Sequence, residues 1–365
     1  MPKNHAQPPV SAKSVRSRKR VKAKGEPQRF SVPLLDLQLD ERADLRVRRF
    51  GDRLQLWADG VDDAAPSAKR PVEGVRLDPK RIGRASSRTD DGGVVPEGLP
   101  TSFSPSRAKR AGLRPPKDGE DRDPGGTIFG NDDRYLFNDR SFPWCTVGQV
   151  RTAVGRCSGT VIGPRHVLTA SHCVDWDDDG GAGWISFSPA YFDGDRPFGE
   201  FFATQIVYWI QAPGMLTDAE TAVDYAVLVF EERIGDITGY AGYRTYHRSW
   251  NDEEYWQYTG YPGELSSGER PAFQDDCVIS SMQTQARPGP DGAVLGHFNE
   301  FTPGQSGGAV WGWWAREPWP RVVGVGSTIG STAVQQPTGS TNGDNEYGGG
   351  PALSRLIGWS RDNFA

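Results

Sequence analysis

Three short segments carry residues that could perform one reaction together. VLTASHCV ends an apolar strand pattern at His172, VDYAVLVF places Asp224 directly before another such pattern, and TPGQSGGAV sets Ser306 among glycines. A serine hydroxyl is a poor nucleophile until a base takes its proton. A histidine can be that base when a buried carboxylate holds its tautomer and stabilises the imidazolium. The segments therefore predict a nucleophile, a base and an orienting acid.

The glycines around Ser306 suggest a second part of the same site. Gly304 and Gly307 relieve steric crowding, so the N–H groups of Gly304 and Ser306 can point to one spot and hold an oxyanion. Each segment alone also has an ordinary explanation: a Gly/Ser turn, a strand-end histidine bonded to a carbonyl, or a solvated aspartate. Their order, His172 then Asp224 then Ser306, favours the catalytic interpretation.

The elements that must position these residues are mostly strands. From about residue 127, short β-type runs recur with turn signals between them, a pattern typical of an antiparallel sandwich or barrel. The stretch Ala352–Asn363 (ALSRLIGWSRDN) puts Leu353, Leu356, Ile357 and Trp359 roughly on one helical side, which predicts a closing helix. The tryptophan-rich run WGWWAREPW is expected to be a packed hairpin.

The first 126 residues have a different texture. Residues 1–24 hold eight Lys and Arg and no Asp or Glu, which fits a disordered basic tail, a nucleic-acid arm or the start of an export signal. No apolar stretch follows, so no standard signal peptide is visible at Met1. The segment Phe30–Gly60 alternates, as in LLDLQLD and RLQLWADG, and predicts a short hairpin, whereas residues 61–126 are expected to be extended or disordered.

Charge and hydropathy exclude some partners. The net charge of -5 and the isoelectric point near 5.7 argue against a general nucleic-acid binder. No apolar run is long enough for a membrane span. We therefore expect protein or peptide substrates, no nucleic acid, and a monomer.

The cysteines and one acidic turn bear on metals and compartment. Cys145, Cys157, Cys173 and Cys277 form no CxxC pair, which weighs against zinc, and they fit two disulfides in an oxidising compartment or four buried thiols. DWDDDG resembles the start of a calcium loop, but its twelfth position is Ser186, so an EF-hand is not expected. A surface calcium site and a solvated acidic turn stay open. The reaction itself requires no metal or organic cofactor.

The motifs TASHC, DYAVL and GQSGG resemble the trypsin/chymotrypsin family of serine endopeptidases. Ile128–Arg134 (IFGNDDR), TVGQV, IGDITGY, TGYPG and PGQSGG resemble its glutamyl-endopeptidase-like bacterial branch. The likeness covers residues 127–365 and leaves 1–126 as a largely irregular propeptide. It implies an all-β, chymotrypsin-like domain of two six-stranded antiparallel β-barrels with a C-terminal helix and the site between them.

The resemblance also implies covalent features. It pairs Cys157 with Cys173 next to the histidine, and it suggests a second bridge between Cys145 and Cys277. It further implies a secreted or otherwise extracytoplasmic zymogen whose mature chain starts close to Thr127, after DPGG. The alternative is that residues 1–126 stay attached as a tail.

Residues of the substrate pocket follow from the same resemblance. Gly326 stands where the glutamyl-specific branch has a histidine, which puts a preference for Glu in doubt. Glu300, six residues before Ser306, would lie near the pocket base and could attract Lys or Arg. Ser327 belongs to the same stretch, and Ile329 at the pocket wall would favour smaller residues.

The resulting expectation is a serine endopeptidase that works through an acyl-enzyme. Ser306 attacks, His172 transfers the proton, Asp224 orients the histidine, and Gly304 and Ser306 hold the oxyanion. Two alternatives remain: a non-catalytic binding protein that retains the fold, and an esterase that uses the same triad.

Overall fold

The computed structural model describes residues 6–22, 70–79, 89–108, 128–129, 132–212, 216–329 and 344–365 in full, and the backbone of 44–50 and 53–59. Thr127, at the expected start of the mature chain, lies outside the described residues, although Ile128 is among them. All the predicted site residues are described.

The N-terminal region contributes five short elements: α1 (Ala12–Arg16), β1 (Asp44–Phe50), β2 (Arg53–Asp59), β3 (Glu73–Arg76) and β4 (Asp90–Asp91). The strands β1 and β2 pair antiparallel along their full length, and these two strands lie within the segment expected to form a hairpin. The helix α1 buries Val15 against Phe103 and Trp313, a strand residue of the following domain.

This packing corrects the expectation of a disordered tail for residues 6–22 and of extended chain for 70–79 and 89–108. Val10 pairs with Trp313 through the backbone, and Arg16 lies 2.8 Å from Asp275. Residues 6–22 pack against the domain because Val15 contacts the rings of Phe103 and Trp313. Arg16 also forms ion pairs with two carboxylates of the domain.

Seven strands follow in the first half of the domain: β5 (Tyr135–Leu136), β6 (Val147–Arg151), β7 (Arg156–Gly163), β8 (His166–Thr169), β9 (Ser186–Pro189), β10 (Phe201–Tyr208) and β11 (Ala226–Phe230). Six of them form a closed barrel, because the order β11-β8-β7-β6-β9-β10 returns to β11 through the β10–β11 pairing. Strand β3 adds to β10 in parallel. Val161, Phe187 and Leu228 fill the interior, and each contributes about 2 kcal/mol by leaving water.

The second half contains β12 (Gly242–Arg244), β13 (Trp256–Gly260), β14 (Ala272–Cys277), β15 (Ser281–Gln285), β16 (Gly292–His297), β17 (Ala309–Trp313), β18 (Pro320–Thr328) and β19 (Asn345–Gly349). Together with β5 and β4 they form a ten-stranded sheet with the path β15-β16-β19-β18-β17-β13-β14-β5. Strand β12 pairs with β18, and β4 pairs with β12. Among the described strands no pairing joins the two ends of this path. Backbone ladders therefore close only the first of the two predicted barrels.

Four helices complete the domain: α2 (Asp218–Thr221), α3 (Ile234–Thr238), α4 (Gly263–Ser266) and α5 (Pro351–Asn363). Helix α5 starts with a proline, whose fixed φ suits the first helical position, and it buries the predicted face of Leu353, Leu356 and Ile357. No helix in the described part of the chain is long and apolar enough to cross a membrane.

The barrel and the second sheet share one core. Leu168 and Val227 from the barrel pack in the same cluster as Trp311, Val322 and Val325 from the sheet. The end of β8 and the start of β11 lie side by side and are close to the end of β18, where Ser327 contacts Asp224. His172 follows β8, Asp224 precedes β11, and Ser306 lies in the loop before β17.

Candidate active site

His172 lies where β8 ends, in a single helical turn of Ser171–Cys173. A disulfide joins Cys173 of this turn to Cys157 in β7, so the pairing inferred from the resemblance is present. The bridge ties the histidine turn to the neighbouring strand of the barrel. His166, six residues earlier, instead lies 3.0 Å from the Ser360 carbonyl through Nε2 and is structural.

Asp224 is the partner of His172. Its Oδ2 lies 2.6 Å from His172 Nδ1, and its Oδ1 accepts the His172 backbone N–H at 2.9 Å. The carboxylate is fully buried, whereas the imidazole is one-fifth exposed. Burial opposes protonation of His172, but the Asp224 charge and hydrogen bond outweigh it and raise the histidine pKa. With Nδ1–H directed at Asp224, Nε2 is the nitrogen that can accept a proton.

Ser306 lies in a tight loop between β16 and β17. Gly304 and Gly307 have φ of +93° and +82°, a conformation that side chains disfavour. A Cβ at Gly304 would meet the Tyr261 carbonyl oxygen at 2.4 Å, and one at Gly307 would meet the Ser158 carbonyl oxygen at 2.3 Å. Both glycines are therefore required by conformation and by space. Ser306 itself is 9 % exposed.

Strand β18 connects the loop that carries Ser306 (residues 302–308, the serine loop) to Asp224. The Gly307 N–H donates to the Gly326 carbonyl at 2.9 Å, and the Ser327 hydroxyl, one residue on, donates to Asp224 Oδ2 at 2.6 Å. No hydrogen bond joins the Ser306 hydroxyl to His172 among the described residues. The structure thus brings His172 and Asp224 into direct contact and links Ser306 to them through β18.

Some backbone N–H groups of the serine loop are hydrogen-bonded within the protein and others are not. The N–H groups of Gln305, Gly307 and Gly308 each donate to a carbonyl, at 2.9 to 3.0 Å. Those of Gly304 and Ser306, the predicted oxyanion donors, have no hydrogen-bond partner within the described part of the chain. They are the donors of this loop that can bind an incoming anion.

Comparison with known proteins finds relatives for part of the chain. Residues 134–289 match the family described as Trypsin. The domain that contains these residues is named the trypsin-family domain after this match. Glutamyl endopeptidase of Bacillus licheniformis is 32% identical to it over 157 residues, which are 42% of this chain and 48% of that protein. Extracellular metalloprotease of Bacillus subtilis is 27% identical over 165 residues, 43% of this chain and 51% of that protein. The chain thus spans about half the length of these curated relatives.

Among solved structures, that of "Glu endopeptidase in complex with MPD" is similar to the domain at a TM-score of 0.47. It is 20% identical and covers 65% of this chain and 100% of that one.

Two of the predicted pocket residues have bonding partners in the trypsin-family domain. Glu300 is 4% exposed, and Gln274 Nε2 donates to its carboxylate. Burial and the neighbouring Asp133 charge raise the pKa of Glu300 to about 7. The Ser327 hydroxyl is directed at Asp224. Ile329 is 38 % exposed at the end of β18.

Gly326 has a steric reason to be glycine. A Cβ there would lie 2.3 Å from the Tyr258 hydroxyl and 2.6 Å from the Phe301 ring. The space of a larger residue is already filled by these two aromatic side chains. A histidine at 326 would require both of them to move.

The second predicted disulfide is wrong. Cys145 and Cys277 are both free and buried in the trypsin-family domain. Cys145 packs with Phe142, and Cys277 lies in a separate aromatic cluster with Tyr258, so each thiol fills its own core. Burial raises the pKa of both thiols, which keeps them protonated and unreactive.

Sequence reasoning missed two residues that hold the serine loop. Ser158 Oγ donates to the Gly304 carbonyl and accepts the Tyr261 N–H, both at 2.8 Å. Arg134 reaches Gln305, the residue before Ser306. Ser158, a serine in a strand, carries no distinctive sequence signal. Arg134 belongs to the motif IFGNDDR, but that motif does not indicate its contact with Gln305. The partners of both residues are more than 100 residues away in the sequence.

Two other acidic residues, Glu220 and Asp177, have structural roles. Glu220 bonds Thr217 at the start of α2 and so forms a capping box with it. Asp177 belongs to a turn that its own backbone closes with Gly180 and Gly181. No group of three potential metal ligands is found in the residues that the structure describes.

Proposed function

We propose that this chain is a serine endopeptidase that hydrolyses peptide bonds through an acyl-enzyme. The observation that carries the proposal is the His172–Asp224 hydrogen bond at 2.6 Å, which directs Nε2 of the imidazole away from the acid. The unpaired N–H groups of Gly304 and Ser306 support it, because they lie on either side of Gln305 in the same loop.

The reaction has two halves. Ser306 Oγ attacks the substrate carbonyl while its proton passes to His172 Nε2, and Gly304 and Ser306 hold the oxyanion. The C–N bond breaks and the leaving amine takes the proton from His172. Water then attacks the acyl-enzyme with His172 again as base, and Ser306 regains its proton. The hydrogen bond between Ser306 and His172 is expected to form when substrate binds, as catalytic contacts commonly tighten in the complex.

A fluorophosphonate probe tests the enzyme class. We expect the protein to be labelled on Ser306 and the Ser306→Ala variant to stay unlabelled. Ser171→Ala is a matched control, because this serine lies beside His172 but its hydroxyl donates to the Ile210 carbonyl. An unlabelled wild-type protein would support the non-catalytic binding protein, and labelling without hydrolysis of peptide amides would support the esterase.

The substrate preference follows from the pocket. Glu300 is bonded to Gln274 and almost wholly buried, so we propose that it does not select Lys or Arg. Gly326 offers no imidazole to a Glu side chain, and we propose a pocket for uncharged residues bounded by Phe301 and Ile329. Cleavage of a mixed peptide pool tests this, and a preference for Glu, Lys or Arg would contradict it.

We also propose that the protein is a secreted monomer cut near Thr127. The disulfide fits an oxidising compartment, and all site residues come from one chain. In this proposal residues 1–126 are the propeptide of a domain that begins at 127. N-terminal sequencing of active protein tests the cut, and Met1 as the sole N-terminus would contradict it.

A further inference from the structure

Arg134 is a buried cation next to the serine loop. It lies just before β5, and its side chain is 1% exposed. Its Nη2 contacts Asp132 at 2.8 Å and Glu264 at 2.5 Å. These two carboxylates compensate the charge, since a buried guanidinium without such partners would be strongly unfavourable.

Arg134 Nε also donates to Asp132, at 3.0 Å, which leaves Nη1 for the serine loop. Nη1 donates to Gln305 Oε1 at 2.5 Å and to Thr302 Oγ1 at 3.0 Å. Gln305 Oε1 also accepts the Thr302 backbone N–H at 3.1 Å. The Gln305 amide oxygen therefore accepts one hydrogen bond from the Arg134 guanidinium and one from the Thr302 N–H. The second bond closes the turn from Thr302 to Gln305.

The orientation of Gln305 decides where the oxyanion donors point. Gly304 and Ser306 are its two neighbours, so their N–H groups turn with the peptide planes on either side of it. The Gln305 carbonyl accepts the Tyr258 hydroxyl at 2.6 Å, which fixes one of these planes. Arg134 holds the other end of Gln305, the amide oxygen of its side chain.

We propose that Arg134 is a positioning residue that holds Gln305, and through it the N–H groups of Gly304 and Ser306, in the oxyanion-binding arrangement. This inference rests on the proposed serine chemistry. It also bears on activation: the contacts exist with residues 1–126 in place, so the loop does not depend on an amine freed by a cut. The cation that holds this loop is Arg134, which belongs to the trypsin-family domain and not to residues 1–126.

The test measures the rate of fluorophosphonate labelling for Arg134→Met, with Arg140→Ala as the control. Arg140 forms an exposed ion pair with Asp195 and has no bond to the serine loop. We expect Arg134→Met to label about a hundredfold more slowly, the size of effect known for losing one oxyanion donor, while Arg140→Ala labels like wild type. Added guanidinium ion should restore part of the rate. Labelling of Arg134→Met at the wild-type rate would overturn the proposal, whereas an unreactive wild type would refute the serine chemistry itself.

A second pair of variants separates positioning from folding. Gln305→Leu removes the acceptor but leaves Arg134 its carboxylates, and Gln305→Glu keeps an acceptor for the guanidinium. We expect Gln305→Leu to slow labelling and to lower kcat for a peptide with little change in KM, and Gln305→Glu to stay within about threefold of wild type. The double variant Arg134→Met/Gln305→Leu should be no slower than the slower single variant. If Gln305→Leu labels at the wild-type rate, or if the two losses multiply, Arg134 does not act through Gln305.

Discussion

Ser327 and His172 donate to the same oxygen of Asp224. The Ser327 hydroxyl and His172 Nδ1 each lie 2.6 Å from Asp224 Oδ2, and the His172 backbone N–H lies 2.9 Å from Oδ1. A fully buried carboxylate needs such donors, because it has lost its water. The acid is therefore fixed by a residue of the second sheet while it orients a histidine of the barrel.

The charge of Asp224 should be essential to catalysis. Asp224→Asn keeps the shape but offers an amide in place of the carboxylate, so the imidazole loses its tautomer and the stabilisation of its charged form. We expect kcat to fall about 10⁴-fold with the fold intact. Steady-state hydrolysis of a peptide, with circular dichroism as the folding control, measures this. A loss of less than tenfold would show that His172 does not need the acid.

Ser327→Ala should cost stability more than chemistry. The change removes one hydrogen bond to a buried charge, and such bonds contribute about 1.5–3 kcal/mol. We expect the free energy of unfolding in urea to fall by about that amount, with kcat lowered less than by Asp224→Asn. Ser249→Ala, in an exposed turn, is the control and should be neutral. Equal stability of both variants would mean that Asp224 finds another donor.

Activity should rise with pH through the ionisation of His172. Only the neutral imidazole can take the Ser306 proton, and Asp224 raises the pKa of His172 above its ordinary value near 6.5. The labelling rate should therefore fall below an inflection that lies above pH 6.5. Because the pKa is raised in the folded state, this histidine stabilises the fold fully below its unfolded pKa, and that contribution is lost as the pH rises through the folded value. A rate inflection below pH 6 would contradict the charge pairing.

The motifs indicated the contact between His172 and Asp224 better than the contacts around it. TASHC, DYAVL and GQSGG carry their own chemistry, so His172, Asp224 and Ser306 could be named from residue type and order. The roles of Ser327 and Arg134 depend on contacts between distant segments, which no local pattern encodes. The bridge between Cys145 and Cys277 failed for the same reason, since the resemblance could not show that each thiol is enclosed in a different cluster. The segments at 6–22 and 70–79 are polar in composition, and their packing rests on a few buried apolar residues, among them Val15, Val72 and Leu77.

A thiol count should find one disulfide and two free thiols among the four cysteines. After unfolding without reductant we expect two thiols per chain to react, and four after reduction. Reduction of Cys157–Cys173, which are 16 residues apart, should lower the free energy of unfolding by about 3 kcal/mol through loop entropy. Cys145→Ser/Cys277→Ser serves as the control and should leave that effect unchanged. No free thiol in the unfolded oxidised protein would restore the second bridge.

The N-terminal region should stay bound after a cut near Thr127. Val10 N–H donates to the Trp313 carbonyl at 2.6 Å, β3 pairs with β10, and Asp90 lies 2.7 Å from Arg244, so its contacts reach both the barrel and the second sheet. A single cut breaks none of these contacts. We expect the two fragments to elute together in size-exclusion chromatography and to separate only in denaturant.

Val15→Asp places a charge in the cluster with Phe103 and Trp313 and should weaken this association. Val154→Asp is the matched control, because Val154 is 70% exposed. If the wild-type fragments separate as soon as the chain is cut, the contacts of residues 6–22 and 70–79 are too weak to hold the region. If they co-elute for wild type and for Val154→Asp but not for Val15→Asp, the aromatic surface around Trp313 is what retains it.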